Sequence, residues 1–424
     1  MIGTNTVYEA VRQDFENRSV SQKQGYNALA VLTVDGSDAL CELYLTADRR
    51  HWQSILVLAS QHHSRGQVNL LAEGTLRCNG IKKASSALID NVGTVLTGNI
   101  ADVSFNGGVL APNCYRSELG AIFRSFDGDD DHVRVFAGGA IIDTEEGHEW
   151  SLGAPLEAPE GNGVDSIPLP DGIVNARPWE FTAAPTVEIV DPTGVGTGAT
   201  AVAIFDTVQG RVTGIKIMNR GNNYSAANAH ISRGGHTNSW TVAAIVTPNV
   251  SGGFEKRGSG TLIVDKVCSY TGITRVSGGT LKLGVDAAID ASSGITLSGG
   301  TLDADSKSFN VPVCGGYGNV IGADIVRMTD DMVFDSGHLL SGSSISVDGV
   351  VSIPDGATVS VRDFGAVEHT TKRKFRIIAA TGGITGDIPS IDVELAKDGW
   401  SIVLSSDGKE MFVYKPKGLK IIFR

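Results

Sequence analysis

The chain has 424 residues, enough for a large hydrophobic core, and combines 53 glycines with only 19% charged and 6% aromatic residues. This composition is too apolar for a disordered chain, and the absence of a Gly-X-Y period excludes a collagen-like fold. The net charge of −12 disfavours a nucleic-acid-binding protein, because an acidic chain repels phosphates.

Five cysteines are spread along the chain without any CxxC pair. This odd, scattered set predicts neither a disulfide framework nor a zinc site, and we interpret the thiols as small buried hydrophobic groups. No stretch reaches the ~18 apolar residues of a membrane-spanning helix. The first residues also lack the basic and apolar regions of a signal peptide. We therefore expect no membrane insertion.

The predicted elements begin, in chain order, with one helix. In "NTVYEAVRQDFENRSV" (residues 5–20), Val7, Val11 and Phe15 recur at helical spacing. Beyond this segment, short apolar runs are bounded by Gly, Asn, Asp or Ser, as in "SILVLAS" (54–60) and "VRVFAGGAIIDT" (133–144). Such runs predict strands in quick succession. Near the end, Asp407-Gly408 predicts a hairpin turn between two closing strands.

The motif Gly-Thr-Leu recurs about every twenty residues, and this recurrence favours one β architecture, the solenoid, over a sandwich or a barrel. In a parallel β-helix, successive coils stack at about 4.8 Å, so that equivalent side chains form columns. Leucines would then form an inward column, threonines an outward column, and glycines the corners. The repeat predicts an all-β, right-handed parallel β-helix, a solenoid. Its residues are Gly260, Thr261, Leu262, Gly279, Thr280, Leu281, Gly300, Thr301 and Leu302.

The segment "GGFEKRGSGTLIVDKVCSYTGITRVSGGTLKLG" resembles the autotransporter-associated β-strand repeat, also called the passenger-associated transport repeat. Phe254 replaces the usual leucine, and Cys268 stands where asparagine is common. The resemblance implies a passenger-like β-helix from a bacterial cell-surface or secreted protein. The residues that fit the pattern are Gly252, Gly253, Lys256, Gly258, Gly260, Thr261, Leu262, Tyr270, Thr271, Gly272, Thr274, Val276, Gly279, Thr280 and Leu281.

A different sequence separates this repeat from looser, coil-like segments at residues 67–80, 103–112 and 133–156. Residues 181–234 resemble a glycine-rich repeat of bacterial surface and phage tail proteins, with Phe181 and Pro185 in the first copy and Tyr224 in the second. We therefore predict five regions. They are an N-terminal cap (1–54), coils (55–178), an inserted glycine-rich β module (179–248), coils with the autotransporter-type repeat (249–364) and a C-terminal β cap (365–424).

One acidic cluster, "FDGDDDH", is the main candidate for chemistry. Carboxylates at Asp127, Asp129 and Asp131 are the ligand type that Ca²⁺ prefers, although they lack the order of an EF-hand. Asp129 and Asp131 with Arg134 are also the candidate acid–base groups of a polysaccharide lyase. The alternative interpretation is a solvated turn between coils. No other cofactor is predicted.

The remaining candidates carry weaker signals. His51, His62 and His63 have metal-ligating side chains but no accompanying carboxylate or cysteine motif, and we interpret them as surface residues. Asp303 and Asp305 have the spacing of paired glycosidase carboxylates, as many acidic strands do. The tryptophans Trp52, Trp150, Trp179, Trp240 and Trp400 are interpreted as half-buried residues rather than sugar-binding platforms.

Together these observations favour a non-enzymatic, cell-surface or secreted β-solenoid. It would act as a structural and adhesive stalk, contacting glycans or surface proteins as a monomer. Two alternatives stay open: a polysaccharide lyase or glycoside hydrolase on a β-helix, and a phage tail or fibre component, which would be trimeric.

Overall fold

The computed structural model describes residues 6–12, 29–36, 40–42, 56–58, 65–83, 100–112, 120–174, 176, 180–284, 287–306, 311–365 and 371–416. The fold is all-β, with three short helices among these residues and many parallel strands in one large sheet. None of these helices is long and apolar enough to cross a membrane.

The strands fall into three groups along the chain. The first comprises β1 (Thr6–Arg12), β2 (Leu29–Asp35), β3 (Leu40–Glu42), β4 (Leu56–Leu58), β5 (Arg65–Leu71), β6 (Thr75–Cys78), β7 (Ile81–Lys83), β8 (Ile100–Asn106), β9 (Val109–Pro112), β10 (Gly120–Ala121), β11 (Phe123–Arg124), β12 (His132–Val135), β13 (Ala140–Asp143) and β14 (Glu149–Ser151). The second comprises β15 (Asn162–Ser166), α1 (Asp171–Val174), β16 (Thr186–Val190), β17 (Thr200–Asp206), β18 (Arg211–Asn219), β19 (Ala227–Ser232) and β20 (Trp240–Pro248).

The third group completes the described chain. It comprises β21 (Phe254–Arg257), β22 (Thr261–Val264), β23 (Thr274–Val276), β24 (Thr280–Leu283), β25 (Ile295–Asp303), β26 (Val313–Ile321), β27 (Ile325–Asp335), α2 (Ser336–Ser341), β28 (Ile345–Val347), β29 (Val350–Ser352), β30 (Thr358–Arg362), β31 (Lys374–Ala380), β32 (Gly383–Thr385), β33 (Ser390–Ile391), α3 (Val393–Lys397), β34 (Ser401–Leu404) and β35 (Glu410–Tyr414).

The helix predicted near the N-terminus is wrong over residues 6–12, where the chain forms β1. This strand pairs antiparallel with β2, with Thr6 opposite Asp35 and Arg12 opposite Leu29. The segment is rich in β-branched and aromatic residues, which favour strands once a partner edge is available. Phe15, the third residue of the predicted helical pattern, lies outside the described residues.

Parallel pairing organises the large sheet into ladders of stacked strands. One ladder runs through β3, β6, β9, β13, β21, β23, β25, β26, β27, β30 and β33. A second runs through β10, β14, β22, β24, β25, β26, β28 and β31. Apolar and polar residues alternate along these strands, and the inward set forms one continuous core that extends from Val34 to Val413.

A separate parallel sheet lies at the N-terminal end of the molecule. We call β1, β2, β5, β8 and β12 the N-terminal sheet; β2, β5, β8 and β12 are parallel and in register. Its inward side chains include Val68 and Val103, which join the main core. Its outward side chains are polar and face the second group of strands.

The second group forms an antiparallel unit with its own small cores. We call residues 159–249 the insert. Strands β15, β20, β19 and β16 form one antiparallel sheet, and β17 and β18 form a hairpin. The antiparallel sheet begins at Asn162, earlier than residue 179, where the sequence predicted the module to start, because β15 pairs with β20.

The parallel ladders resume after the insert in the same register. Strand β13 pairs with β21, with Ala140 opposite Phe254, and β14 pairs with β22, with Trp150 opposite Leu262. At the C-terminal end, the predicted hairpin is present: β34 and β35 pair antiparallel, and Gly408 has φ of 69°.

Candidate functional site

The three leucines of the repeat lie in one inward column. Leu262 is opposite Leu281, and Leu281 is opposite Leu302. All three side chains are fully buried. The column continues to Trp150 before the repeat and to Val320 after it. The core of each strand is therefore completed by the strands directly above and below it.

The glycines and threonines of the repeat lie at the corner and on the outer face. Thr261, Thr280 and Thr301 are opposite one another and half-buried. Gly279 has φ of 55°, in the left-handed region, and a Cβ there would overlap the carbonyl oxygen of Gly260. Glycine is required at this corner because the backbones of consecutive strands approach too closely for a side chain.

Lys256 is a fully buried charged residue of the repeat. Strand alternation directs it into the core, in a column with Ile142 and Val276. Its Nζ donates hydrogen bonds to the carbonyl oxygens of Arg257 at 2.6 Å, Gly258 at 2.8 Å and Gly278 at 3.1 Å.

This environment makes the ammonium group of Lys256 easier to deprotonate. Burial lowers the pKa of Lys256 to about 8, and the nearby carboxylate of Asp143 opposes that shift. The ammonium form has three donors for three carbonyl acceptors, and it thereby links two neighbouring corners of the repeat. We interpret Lys256 as an internal cross-link of the repeat.

The acidic loop separates the calcium candidates from one another. Asp131 is buried: its carboxylate lies 2.6 Å from Lys83 Nζ and accepts hydrogen bonds from Ala101 N and Gly128 N, both at 2.9 Å. Asp127 and Asp129 are exposed. No group of three His, Cys, Asp or Glu side chains in the described part of the chain is arranged to hold a metal ion.

Arg134 belongs to a different network from Asp131. Its guanidinium lies 3.1 Å from Asp102, whose carboxylate also binds Arg65 at 2.6 Å. Burial lowers the pKa of Arg134, although the carboxylates of Asp102 and Glu157 oppose this. The three catalytic candidates are therefore not brought together: Asp131 binds Lys83, Arg134 binds Asp102, and Asp129 is exposed.

The insert lies on the polar outer face of the N-terminal sheet. Asn219 on β18 donates from Nδ2 to Asn69 Oδ1 at 2.9 Å and to Ser104 Oγ at 2.7 Å. Lys216 on the same strand forms an ion pair with Asp35 on β2. Polar hydrogen bonds, rather than a shared apolar core, hold the hairpin on the sheet.

Sequence reasoning missed these contact residues. Asn69 and Ser104 alternate with apolar neighbours, a pattern that indicates outward, solvated positions. The structure does direct them outward, but the insert covers them, so that Asn69 is fully buried and Ser104 nearly so. The only available signal was that Asn69 and Ser104 carry an uncharged amide and an uncharged hydroxyl.

A cleft of about 190 Å³ opens where the insert meets the N-terminal sheet. Its walls come from the ends of β5 and β8 on one side and from β15 and β18 on the other. Polar and apolar side chains both line it, among them Ser104, Asn106, Phe136, Asp165, Met218 and Arg220. It is a binding-site candidate that the sequence did not indicate.

The other predicted site residues lie apart from this cleft. Trp150 and Trp400 are buried, and Trp240 is half-buried against Phe181 and His236. Lys282 pairs with Asp305 at 3.2 Å, which ties one carboxylate of the Asp303 and Asp305 pair to the next strand. The candidates that fall outside the described residues are His51, Trp52, His62, His63 and Trp179.

The described cysteines are free thiols. Cys78 and Cys268 are buried, and Cys41 and Cys314 are half-buried. Burial raises the pKa of Cys78 to about 12 and that of Cys268 to about 11, which leaves both thiols protonated and unreactive near neutral pH. Cys114 lies outside the described residues.

Comparison with known proteins gave one match. Residues 254–283 match the model of the passenger-associated-transport-repeat family. No curated protein and no solved structure matches the chain. The matched range contains Lys256 and two of the three Gly-Thr-Leu motifs, in the segment where β21 to β24 stack in register. The resemblance predicted from the sequence is confirmed there, and this repeat supports an autotransporter-associated repeat protein.

Proposed function

We propose that the chain is a passenger-like, right-handed parallel β-helix of a bacterial cell-surface or secreted protein. Its role is structural and adhesive: a stiff stalk that carries the insert and contacts glycans or surface proteins, as a monomer and without catalysis. The observation that supports this best is the unbroken register of the parallel ladders through the repeat and across the insert.

The stacked strands have the properties that a stalk requires. Eleven described strands follow one another in the first ladder, which at about 4.8 Å per step gives a rod roughly 50 Å long. Each coil contacts mainly its neighbours, so stability adds up along the axis. An insertion at one corner leaves the coils on either side paired, and the fold can therefore display additional modules.

The arrangement of the acidic residues favours this role over a polysaccharide lyase. The buried carboxylates of Asp102 and Asp131 each bind a cationic side chain, and Asp131 also accepts two backbone hydrogen bonds. These contacts stabilise the loops and the N-terminal sheet. A catalytic acid or base would instead need a free carboxyl group within hydrogen-bond reach of a substrate.

Excision of the insert tests the scaffold proposal. Residue 158 would be joined to residue 250 by a short Gly-Ser linker, and the product compared with the full chain by circular dichroism and thermal unfolding. We expect a β-rich protein that unfolds cooperatively, because the face uncovered by the excision is largely polar: Thr33, Asn69, Asp102 and Ser104, beside the apolar Leu71 and Phe136. A product that is unfolded or aggregated would contradict the proposal.

A further inference from the structure

Three apolar side chains help to line the cleft between the insert and the N-terminal sheet. Leu71 and Phe136 lie on the side of the sheet and Met218 on the side of the insert, and each is nearly fully buried, so that only an edge of each faces the cleft. The volume of about 190 Å³ is below the roughly 300–1,000 Å³ of pockets for drug-sized ligands. A ligand of this cleft would therefore be small, with C–H groups where it meets these apolar edges.

Polar groups lie on both walls of the cleft. Asn106 accepts from Gly138 N at 2.7 Å, while its amide nitrogen has no hydrogen-bond partner within the described ranges. Asp165 accepts from Arg220 at 2.6 Å through one oxygen, and its second oxygen has no partner among the residues described. A donor and an acceptor thus remain available on opposite sides of the cleft.

The carboxylate of Asp165 is placed by an irregularity in its strand. Val164 is opposite Val246 and Ser166 is opposite Ile245, so Asp165 is the additional residue of a β-bulge. Bulges redirect a side chain from the regular alternation and are frequent next to binding sites. Arg220 is held in turn by Asn249 Oδ1 at 3.3 Å and by the Thr247 carbonyl oxygen at 3.2 Å.

The charges at the cleft are balanced. Asp165 and Arg220 are its only charged lining residues in the described part of the chain, and they neutralise each other. A carboxylated or phosphorylated ligand would have to break this pair, whereas an uncharged one would not. The vicinal hydroxyls of a sugar are both donors and acceptors, and the C–H groups of its ring are apolar.

We propose that this cleft binds one uncharged hexose unit of a glycan. C–H groups of the ring would touch the exposed edges of Leu71 and Phe136, with hydroxyls bonded to the amide of Asn106 and the free oxygen of Asp165. The inference rests on the proposed adhesive function and assigns its glycan contact to a site formed jointly by the insert and the N-terminal sheet.

Calorimetric titration of the full chain tests the inference. The uncharged probes are methyl glucoside, methyl galactoside, cellobiose and lactose; the acidic probes are glucuronic acid and sialyllactose. We expect at least one uncharged probe to bind more tightly than either acidic probe. Asn106→Ala and Asp165→Ala should each weaken that binding about fivefold to tenfold, the effect of one or two lost hydrogen bonds.

Asn319→Ala is the matched control, because Asn319 is another exposed asparagine on an outward strand position. It should bind as the unmodified chain does, and thermal unfolding should show that all three variants are folded. Absence of binding by every uncharged probe, preference for an acidic probe, or unchanged affinity in both cleft variants would overturn the inference. These outcomes are independent of the excision experiment, so failure of the sugar site and failure of the scaffold proposal are distinguishable.

Discussion

At the scale of single residues, the leucine column is the feature that the sequence predicts best. The motif spacing alone identifies Leu262, Leu281 and Leu302 as equivalent, and the structure pairs them directly. This prediction is possible because successive coils stack directly on one another, so that residues at equivalent positions of the repeat lie opposite each other. Chemical identity and periodicity are both visible in a sequence.

Replacement of one member of the column tests its contribution to stability. Leu281→Ala removes a fully buried side chain between two other leucines and should lower the free energy of unfolding by about 2–5 kcal/mol. Lys282→Ala on the same strand is the control. Lys282 points outward and forms a partly exposed pair with Asp305, so its loss should cost less than about 1 kcal/mol. Equal effects in chemical denaturation would contradict the inward placement of Leu281.

Lys256 gives the repeat a pH dependence. Its pKa is lowered in the folded state to about 8, whereas the unfolded chain retains a value near that of an ordinary lysine. Between these values the unfolded state binds more protons, so this residue makes the free energy of unfolding rise with pH from about 8 upward. The contribution is lowest below pH 8, where the ammonium is buried in the folded state.

The measurement compares the full chain with Lys256→Met by chemical denaturation between pH 7 and pH 9.5. The difference in unfolding free energy, full chain minus variant, should increase with pH over this range. The difference is used because the buried thiols have the opposite effect on the unfolding free energy. Burial raises the pKa of Cys78 and Cys268, so these residues make the unfolding free energy fall as the pH rises, and their effect cancels because the variant retains both. A constant or decreasing difference would show that Lys256 does not titrate as inferred.

Other residues show where prediction from sequence ends. Asp131 is acidic, Arg134 is basic, and the two are close in sequence, which suggested a common site. In the structure Asp131 binds Lys83 and Arg134 binds Asp102. The partners are 48 and 32 residues away in the chain, and contacts of this range depend on the stacking of strands. The available oxygen of Asp165 was similarly hidden, because a β-bulge has no sequence signature here.

At the scale of elements, short strands were predictable from apolar runs bounded by turn residues, and the hairpin at Asp407-Gly408 from its turn sequence. The first element was not. Val7 and Val11 fit a helical period, but residues 6–12 pair with β2 as a strand. A short segment with both patterns adopts the conformation for which a partner edge exists, and that edge is formed by residues 29–35, far along the chain.

The start of the antiparallel module shows the same dependence on distant partners. Strand β15 contains Asn162, Gly163 and Asp165, and its composition does not separate it from the preceding coil-like sequence. Pairing with β20, about eighty residues later in the chain, assigns it to the antiparallel sheet. The glycine-rich pattern distinguishes the middle of this segment in the sequence, whereas composition gives no sign of the strand β15.

At the scale of the whole molecule, the chain combines two bodies of different construction. The parallel strands share one continuous apolar core, whereas the insert has two small cores of its own. The contacts between them are mainly polar, as at Asn219 with Asn69 and Lys216 with Asp35. Polar interfaces between units of one chain generally couple them weakly.

This construction predicts two unfolding transitions. The insert has the smaller cores and should unfold first, while the stacked strands unfold at higher temperature, because their core is continuous and the strands inside each ladder are paired on both sides. Differential scanning calorimetry of the full chain should therefore show two transitions, and the excised protein, with residues 158 and 250 joined, should retain only the upper one. If the full chain instead unfolds in one transition with equal calorimetric and van't Hoff enthalpies, the polar interface couples the two bodies strongly, and the insert is an integral part of the stalk rather than a module displayed on it.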